Sequence, residues 1–189
     1  MVRFLLSPHA DSRPVGTEVN LLVVHAITVP PGEFGGPHVD DLFMGRLNPD
    51  AHPAFPAIAG MRVSAHFFID RNGGLTQYVP VMRRAWHAGV SQWEGRTACN
   101  DYSVGVELEG VEAGPPDKMG FERIQYERLT VLARTLMTHL LGLTPERIVG
   151  HQDIAPGRKW DPGSGFDWVR FHTLLSQARP DEKNALVWE

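Results

Sequence analysis

The stretch LLVVHAI, residues 21–27, decides the fold class of this chain. It is a continuous apolar run rich in leucine and valine, which is the pattern of a strand buried on both faces of a sheet. Strands of this kind lie inside sheets whose faces are covered by other elements. We therefore predict that residues 21–27 form a central strand, with His25 close to its end.

Further segments have strand patterns. SAHFFID and GLTQYVP, residues 64–70 and 74–80, flank a group of turn residues and predict a β-hairpin. YSVGVELEG, residues 102–110, predicts another strand. Because side chains alternate along a strand, Glu107 and Glu109 are expected on the same face of it.

Helical patterns occur in three places. Residues 29–56 are rich in proline and allow one short helix within 38–47. Leucines at three- and four-residue steps predict a long helix over 120–142, which a glycine ends. The last helix is predicted to begin at Ser164, with Asp167 completing a capping box. Alternating strands and helices predict an α/β domain with a mixed central sheet flanked by helices.

Length and composition limit the domain count and the partners. The 189 residues are 42% hydrophobic and 21% charged, which predicts one globular domain over 1–189, with its core at about 7–178 and a loose tail at 179–189. A net charge of -4 and a pI near 6.1 argue against a nucleic-acid partner. No segment has the length of a membrane span or of a signal peptide's apolar region, and Cys99 is the single cysteine. We expect a cytoplasmic protein, monomeric by default and without a membrane partner.

The segment GHQDIAPGRKWDPG, residues 150–163, combines charged side chains with three glycines and two prolines. Proline cannot donate a backbone hydrogen bond and glycine favours turns, so the composition predicts a loop. A brief strand over 147–151 is expected to lead into it. Polar side chains held in a stiff loop are typical of a functional site.

Two histidines and one carboxylate form a candidate metal site. His25 and His151 each follow an apolar strand-like run, and ligands gather at strand ends in open α/β sheets. Asp161 follows His151 within the same loop. Such a set leaves an open position for water, as catalytic zinc sites do. Two alternatives stay open at this point: ordinary half-buried histidines, and the facial triad of a non-haem iron oxygenase.

Five motifs carry a family resemblance: LLVVHAITVPPGEFGGP, RVSAHFFI, RAWHAGVSQWEGR, CNDYSVGVELEG and GHQDIAPGRKWDPG. Together they resemble the amidase-2 family of zinc-dependent N-acetylmuramoyl-L-alanine amidases over nearly the whole chain. The resemblance implies the fold that this family shares with peptidoglycan recognition proteins, a mixed sheet with helices and a zinc ion at the floor of a groove. It implies His25, His151 and Asp161 as ligands of one zinc ion per chain. It further implies Glu107 as the catalytic acid/base and Lys159 as the residue that stabilises the oxyanion.

Among the members of this family, the chain is similar to those that act in the cytoplasm on imported murein fragments. The resemblance implies an anhydro-muropeptide substrate, cut between the lactyl group of 1,6-anhydro-N-acetylmuramic acid and L-alanine of the stem peptide. The alternatives are an amidase for reducing-end or polymeric peptidoglycan and a non-catalytic peptidoglycan-binding module. The family commonly has asparagine after its first metal histidine, where this chain has Ala26.

Other candidates concern substrate binding. Trp86 and His87 match a segment that lines the family's groove, and they are candidates for stacking on a sugar or hydrogen bonding to it. Arg62 and Arg96 are candidates for holding a peptide carboxylate by bidentate pairing. The alternative for all four is an ordinary structural or solvated position. Glu109 shares the face of Glu107, so it competes for the acid/base role.

Overall fold

The computed structural model of the protein describes residues 1–111 and 120–177. Its strands, in chain order, are β1 (Val2–Phe4), β2 (Ala10–Ser12), β3 (Leu21–Ile27), β4 (Phe67–Ile69), β5 (Leu75–Gln77), β6 (Arg83–Ala85), β7 (Gln92–Trp93), β8 (Arg96–Thr97), β9 (Ser103–Glu109) and β10 (Ile148–Gly150). Six of them form the main sheet in the order β1-β5-β4-β9-β3-β10. The pairs β2-β6 and β7-β8 form two small antiparallel sheets.

The main sheet is mixed, as predicted. Strands β4, β9, β3 and β10 run parallel to one another, while β5 pairs antiparallel with β4 and parallel with β1. Strand β3 lies between β9 and β10, and its residues 21–25 are buried. The prediction of a central strand at 21–27 is confirmed, and so is the β4-β5 hairpin. The edge strand β1 was not predicted, because a segment of three residues is too short to show an alternation of apolar and polar side chains.

The helices are α1 (His38–Phe43), α2 (Arg123–His139), α3 (His151–Ile154) and α4 (Trp168–Ser176). Short 3-10 turns lie at Pro49–Ala51, Phe55–Ala57, Cys99–Asp101 and Pro145–Arg147. Helix α1 confirms the short helix expected within 38–47. Within the described ranges, no helix combines the length and apolar character needed to cross a membrane.

The predicted bounds of the long helix, 120–142, were too wide. The helix begins at Arg123 because Glu122, in extended conformation, is its N-cap. The Gln125 side-chain oxygen accepts the Glu122 backbone N–H at 2.9 Å, which satisfies a donor at the helix start. The helix ends at His139, before the glycine that the sequence offered as a stop.

Two predictions about the C-terminal third were wrong in detail. The last helix begins at Trp168, because Asp167 is itself the N-cap and its carboxylate accepts the Arg170 backbone N–H at 2.9 Å. The loop expected over 150–163 begins with the four-residue helix α3. Its prolines lie beyond that turn, so they do not interrupt it.

The two faces of the main sheet carry different side chains. Alternate residues of β3 and β9 pack with α2 and α4 in one apolar core, which includes Leu22, Val24, Val104, Val106, Leu108, Leu129, Leu132, Leu136 and Phe171. The other alternate residues project to the opposite face, where His25 and Glu107 lie side by side. In the described part of the chain, the two longest helices, α2 and α4, pack on the first face, which leaves the second face available for a site.

The buried Gln125 joins α2 to the sheet, and its removal tests this connection. Its side-chain nitrogen donates to the carbonyls of Ile69 and Glu109, at 3.2 and 3.1 Å. We expect Gln125→Leu to lower the free energy of unfolding by about 1–3 kcal/mol, because buried carbonyls lose their donor. Urea unfolding measures the change. The control Glu127→Gln loses only an exposed pair with Arg123 and is expected to change stability by less than about 0.5 kcal/mol; equal stabilities of the two variants would contradict the prediction.

Candidate active site

The site forms where parallel strands end at one edge of the main sheet. His25 of β3 is in register with Glu107 of β9. On the other side of β3, Gly150 of β10 pairs with Val24, so His151 follows directly beside His25. The carboxyl ends of parallel strands meet at the same edge. Residues far apart in the chain therefore become neighbours there.

A third residue, the acidic Asp161, joins the two histidines. The loop after α3 returns to the site, where the Asp161 carbonyl accepts the Gln152 backbone N–H at 3.0 Å. Asp161 Oδ2 lies 2.9 Å from His25 Nδ1 and 3.1 Å from His151 Nδ1. The two Nδ1 atoms are 3.0 Å apart. All three side chains are buried, and together they form a group able to hold a metal ion.

The chemistry of these donors fits a cation. His151 Nε2 lies 3.0 Å from the Ala88 carbonyl oxygen, which only accepts, so Nε2 is the donor. In the neutral form of such an imidazole, Nδ1 presents a lone pair to the group. A lone pair and a carboxylate oxygen at this distance repel each other unless a cation or a proton lies between them. In a tetrahedral zinc site with bonds of about 2.0–2.1 Å, the ligand atoms lie about 3.3 Å apart. The observed spacings are close to that value.

The protonation of the group also suits metal binding. Burial lowers the pKa of His25 to about 4 and outweighs the hydrogen bond to Asp161. Burial likewise lowers the pKa of the neighbouring His87 well below its usual value. Burial alone would raise the pKa of Asp161, but its hydrogen bonds to His151 and His25 hold it below its usual range. A neutral imidazole and an ionised carboxylate are the forms that bind metals.

Glu107 and Glu109 have different environments. Oε2 of the buried Glu107 has no hydrogen-bond partner among the described residues. Its pKa is raised well above the usual value by burial and by the charge of Asp161, against the opposing charge of Lys159. Glu109 instead accepts backbone N–H groups with both oxygens, from Gly35 and Arg71. Of these two carboxylates, only Glu107 has an oxygen without a hydrogen-bond partner among the described residues.

A cavity of about 630 Å³ opens above the three candidate ligands. Apolar side chains form much of its wall: Leu42, Phe43, Ile58, Met61 and Val63. Glu107, Lys159, Trp86, His87 and Ala26 also line it. Leu42 and Phe43 belong to the proline-rich segment 29–56, whose length in a compact domain is typical of a functional loop. Ile58, Met61 and Val63 lie beyond it and were not identified from the sequence, because they look like ordinary core positions.

The two predicted arginines differ in position. Arg62 does not line the cavity, but its guanidinium lies 5.0 Å from the centre of the ring of Trp86, which does. Arg96 is not among the residues that line the cavity. Its guanidinium lies 3.8 Å from the centre of the Tyr102 ring and donates to Asn20 Oδ1 at 3.2 Å. The structure therefore does not bring Arg96 to the candidate site.

Asn100 is a supporting residue that the sequence did not indicate. Its side-chain oxygen accepts the backbone N–H groups of His87 and Ala88, at 3.1 and 2.8 Å. The Ala88 carbonyl in turn accepts from His151 Nε2 and from Arg158. No sequence signal marks Ala88, because it acts through its backbone.

Comparison with known proteins gives a consistent result. Residues 15–164 match the family described as N-acetylmuramoyl-L-alanine amidase, Amidase_2. The chain is 49% identical to the 1,6-anhydro-N-acetylmuramyl-L-alanine amidase AmpD of Enterobacter cloacae, over 95% of this chain and 93% of that protein. It is 51% identical to AmpD of Escherichia coli K12, over 90% of each chain.

Solved structures agree with the sequence comparisons. A crystal structure of a selenomethionine AmpD derivative superposes with a TM-score of 0.87 at 48% identity and covers 93% of this chain and 94% of that one. AmiD from E. coli is 30% identical with a TM-score of 0.60, over 89% of this chain and 63% of that one. It was solved with the substrate anhydro-N-acetylmuramic acid-L-Ala-D-γ-Glu-L-Lys.

The metal site can be tested by direct titration. We expect the protein to bind added zinc at a ratio of one ion per chain and His151→Ala to lose most of that affinity, because one of three protein ligands is removed. Elemental analysis and titration against a chromophoric chelator measure this. The exposed His172 provides the control His172→Ala, which should bind zinc normally. Normal zinc binding by His151→Ala would show that the ligand assignment is wrong.

Proposed function

The chain belongs to the N-acetylmuramoyl-L-alanine amidase family, Amidase_2, and we propose that it is a zinc-dependent hydrolase of anhydro-muropeptides. The bond cut is the amide between the lactyl group of 1,6-anhydro-N-acetylmuramic acid and L-alanine of the stem peptide. One observation carries the proposal: the group of His25, His151 and Asp161 lines the same cavity as Glu107, whose Oε2 has no partner among the residues that the structure describes. The family membership argues against an iron oxygenase.

The two imidazoles and the Asp161 carboxylate would hold the zinc ion. A bound zinc ion supplies Lewis acidity, which can lower the pKa of a water molecule from 15.7 to about 7 and polarise a carbonyl. Amides are poor electrophiles, so they need a strong nucleophile near neutral pH. Three protein ligands leave room for water and substrate, as in other catalytic zinc sites.

Glu107 is proposed as the acid/base. It accepts a proton from the attacking water as the water oxygen bonds to the lactyl carbonyl carbon. It then donates that proton to the amide nitrogen as the C–N bond breaks. The products are the carboxylic acid of the sugar and a stem peptide with a free amino group. Its partnerless oxygen and raised pKa support this role.

Lys159 is proposed to stabilise the negative charge that develops on the carbonyl oxygen. The loop that carries it is held in place by its backbone and by its neighbour. The Lys159 and Arg158 backbone N–H groups donate to the Ala155 carbonyl at 3.0 and 3.1 Å. The Arg158 guanidinium donates to the Ala88 carbonyl at 2.7 Å. Such fixation keeps a charged donor at a constant distance from the reacting carbonyl.

The substrate class is inferred from the relatives and from the cavity. The similar proteins from E. cloacae and E. coli are named for the 1,6-anhydro sugar. An anhydro ring lacks the reducing-end hydroxyl groups, so it is less polar than an ordinary muramic acid. The apolar wall that includes Leu42, Phe43 and Ile58 suits such a ring. Trp86 offers an aromatic surface for stacking.

We propose further that the protein acts as a monomer in the cytoplasm, in peptidoglycan recycling. Anhydro-muropeptides are fragments of murein turnover, and an enzyme that removes their peptides acts after that turnover. Neither a nucleic acid nor a membrane is part of the proposed reaction.

A substitution at Glu107 separates catalysis from metal binding. Glu107→Gln should bind zinc normally because no ligand is touched, while kcat for amide cleavage falls by a factor on the order of 10² or more. Zinc titration and mass spectrometry of released peptide measure the two effects. Glu109→Gln is the matched comparison on the same strand face. If Glu109→Gln lost comparable activity and Glu107→Gln did not, the acid/base role would belong to Glu109.

The substrate proposal is tested by comparing three substrates. We expect kcat/KM to be much higher for anhydro-muropeptides than for muropeptides with an ordinary reducing end, and far higher than for intact sacculi. The reason is that the apolar wall would have to desolvate the hydroxyl groups of an ordinary reducing end. Free stem peptide is quantified by mass spectrometry. Equal kcat/KM on the two soluble substrates would refute the anhydro preference and leave the amidase chemistry intact.

A further inference from the structure

The segment at residues 87–88 contacts both candidate histidine ligands on the side away from the metal group. His151 Nε2 lies 3.0 Å from the Ala88 carbonyl, and His25 Nε2 lies 2.9 Å from His87 Nδ1. Asn100 fixes the segment through two backbone hydrogen bonds. The side chain of His87 is thus held against a ligand.

The direction of the hydrogen bonds can be followed from a backbone carbonyl. Ser103 Oγ lies 2.6 Å from the Cys99 carbonyl oxygen. That oxygen only accepts, so the single hydroxyl proton of Ser103 lies between these two atoms. Ser103 Oγ also lies 3.2 Å from His87 Nε2. Since the hydroxyl has no second proton, His87 Nε2 must donate to Ser103.

The same reasoning continues to the metal ligand. A neutral imidazole carries one N–H, so His87 Nδ1 is an acceptor once Nε2 donates. His25 Nε2 must then donate to His87 Nδ1 across their 2.9 Å contact. The remaining nitrogen, His25 Nδ1, presents a lone pair toward Asp161 and His151. This is the tautomer that a metal requires at that atom.

Strand β9 leaves space for this arrangement. A side-chain carbon added at Gly105 would lie 2.5 Å from His87 Cγ, which is too close for any contact. The absence of a side chain at this buried position lets the His87 ring lie against the strand. Ser103, two residues earlier, is fully buried and does not line the cavity. The series Cys99, Ser103, His87 and His25 therefore runs inside the protein.

We propose that His87 is a positioning residue of the metal site, which holds His25 in the tautomer with a free Nδ1, and that Ser103 orients His87 for this purpose. The inference rests on the proposed function for the identity of the metal. It assigns His87 a role different from sugar binding, although its ring borders the cavity. Outer partners of metal-binding histidines commonly fix the ring and its tautomer in this way.

Zinc affinity tests the proposal without any substrate. The apoprotein, prepared by chelation, is titrated with zinc against a competing chromophoric chelator. We expect His87→Ala to weaken zinc binding by about 10- to 100-fold. His87→Asn places a side-chain oxygen near the former Nδ1 position, so it should restore most of the loss. Ser103→Ala should also weaken binding, although Ser103 contacts neither the cavity nor the metal group.

The control is Trp86→Phe, which changes the adjacent cavity residue and should leave zinc affinity unchanged. Thermal unfolding of each apoprotein identifies folding defects. If His87→Ala fails to fold, the zinc affinities of Ser103→Ala and His87→Asn test the proposal instead. A long-range ¹H–¹⁵N NMR spectrum of the apoprotein should show His25 protonated at Nε2. That signature should be lost in Ser103→Ala or His87→Ala.

Wild-type zinc affinity in both His87→Ala and Ser103→Ala would overturn the proposal, and so would a loss that His87→Asn does not restore. If His87→Ala had unchanged zinc affinity but a raised KM, the role of His87 would be substrate binding. Because zinc binding is measured without substrate, a wild-type protein that fails to cleave anhydro-muropeptides would count against the proposed function and leave this inference standing.

Discussion

The site depends on the parallel pairing of β3 with β9 on one side and with β10 on the other. This pairing sets His25 level with Glu107 and delivers His151 beside them. A slip of one residue in the register would turn His25 or Glu107 toward the helix-covered core. The apolar residues that alternate with them, such as Val24 and Val106, are buried in that core. The hydrophobic effect that holds the sheet to α2 and α4 therefore also holds the register of these two candidate site residues.

Burial of polar groups around the site requires an outer layer of hydrogen bonds. Each imidazole of the metal group has its second nitrogen engaged, by the Ala88 carbonyl or by His87. Asn100 and Arg158 in turn hold that segment by backbone contacts. An unpaired polar group in such a place would destabilise the fold. The same bonds that remove this penalty also orient the candidate ligands.

Sequence reasoning succeeded where the pattern is local. The apolar run at 21–27 indicated a central strand, and the leucine repeat within 120–142 indicated a helix, because burial imposes a period on each element. The predicted bounds failed where a side chain ends an element. Glu122 and Asp167 act as N-caps. From the sequence alone, neighbouring polar residues are equally good candidates for the N-cap.

The sequence by itself determined the family, the mixed α/β class and the residue types of the site, because motifs and periodicity are properties of the chain. Only the tertiary structure decided that one Glu107 oxygen has no partner in the described part of the chain while Glu109 accepts from backbone amides. It also placed Arg96 away from the cavity and His87 against the candidate ligand His25. These outcomes depend on contacts between segments that are distant in the sequence. His25 and His87, for example, are in contact although they lie 62 positions apart. Such contacts follow from strand register and packing, which no local pattern of residues specifies.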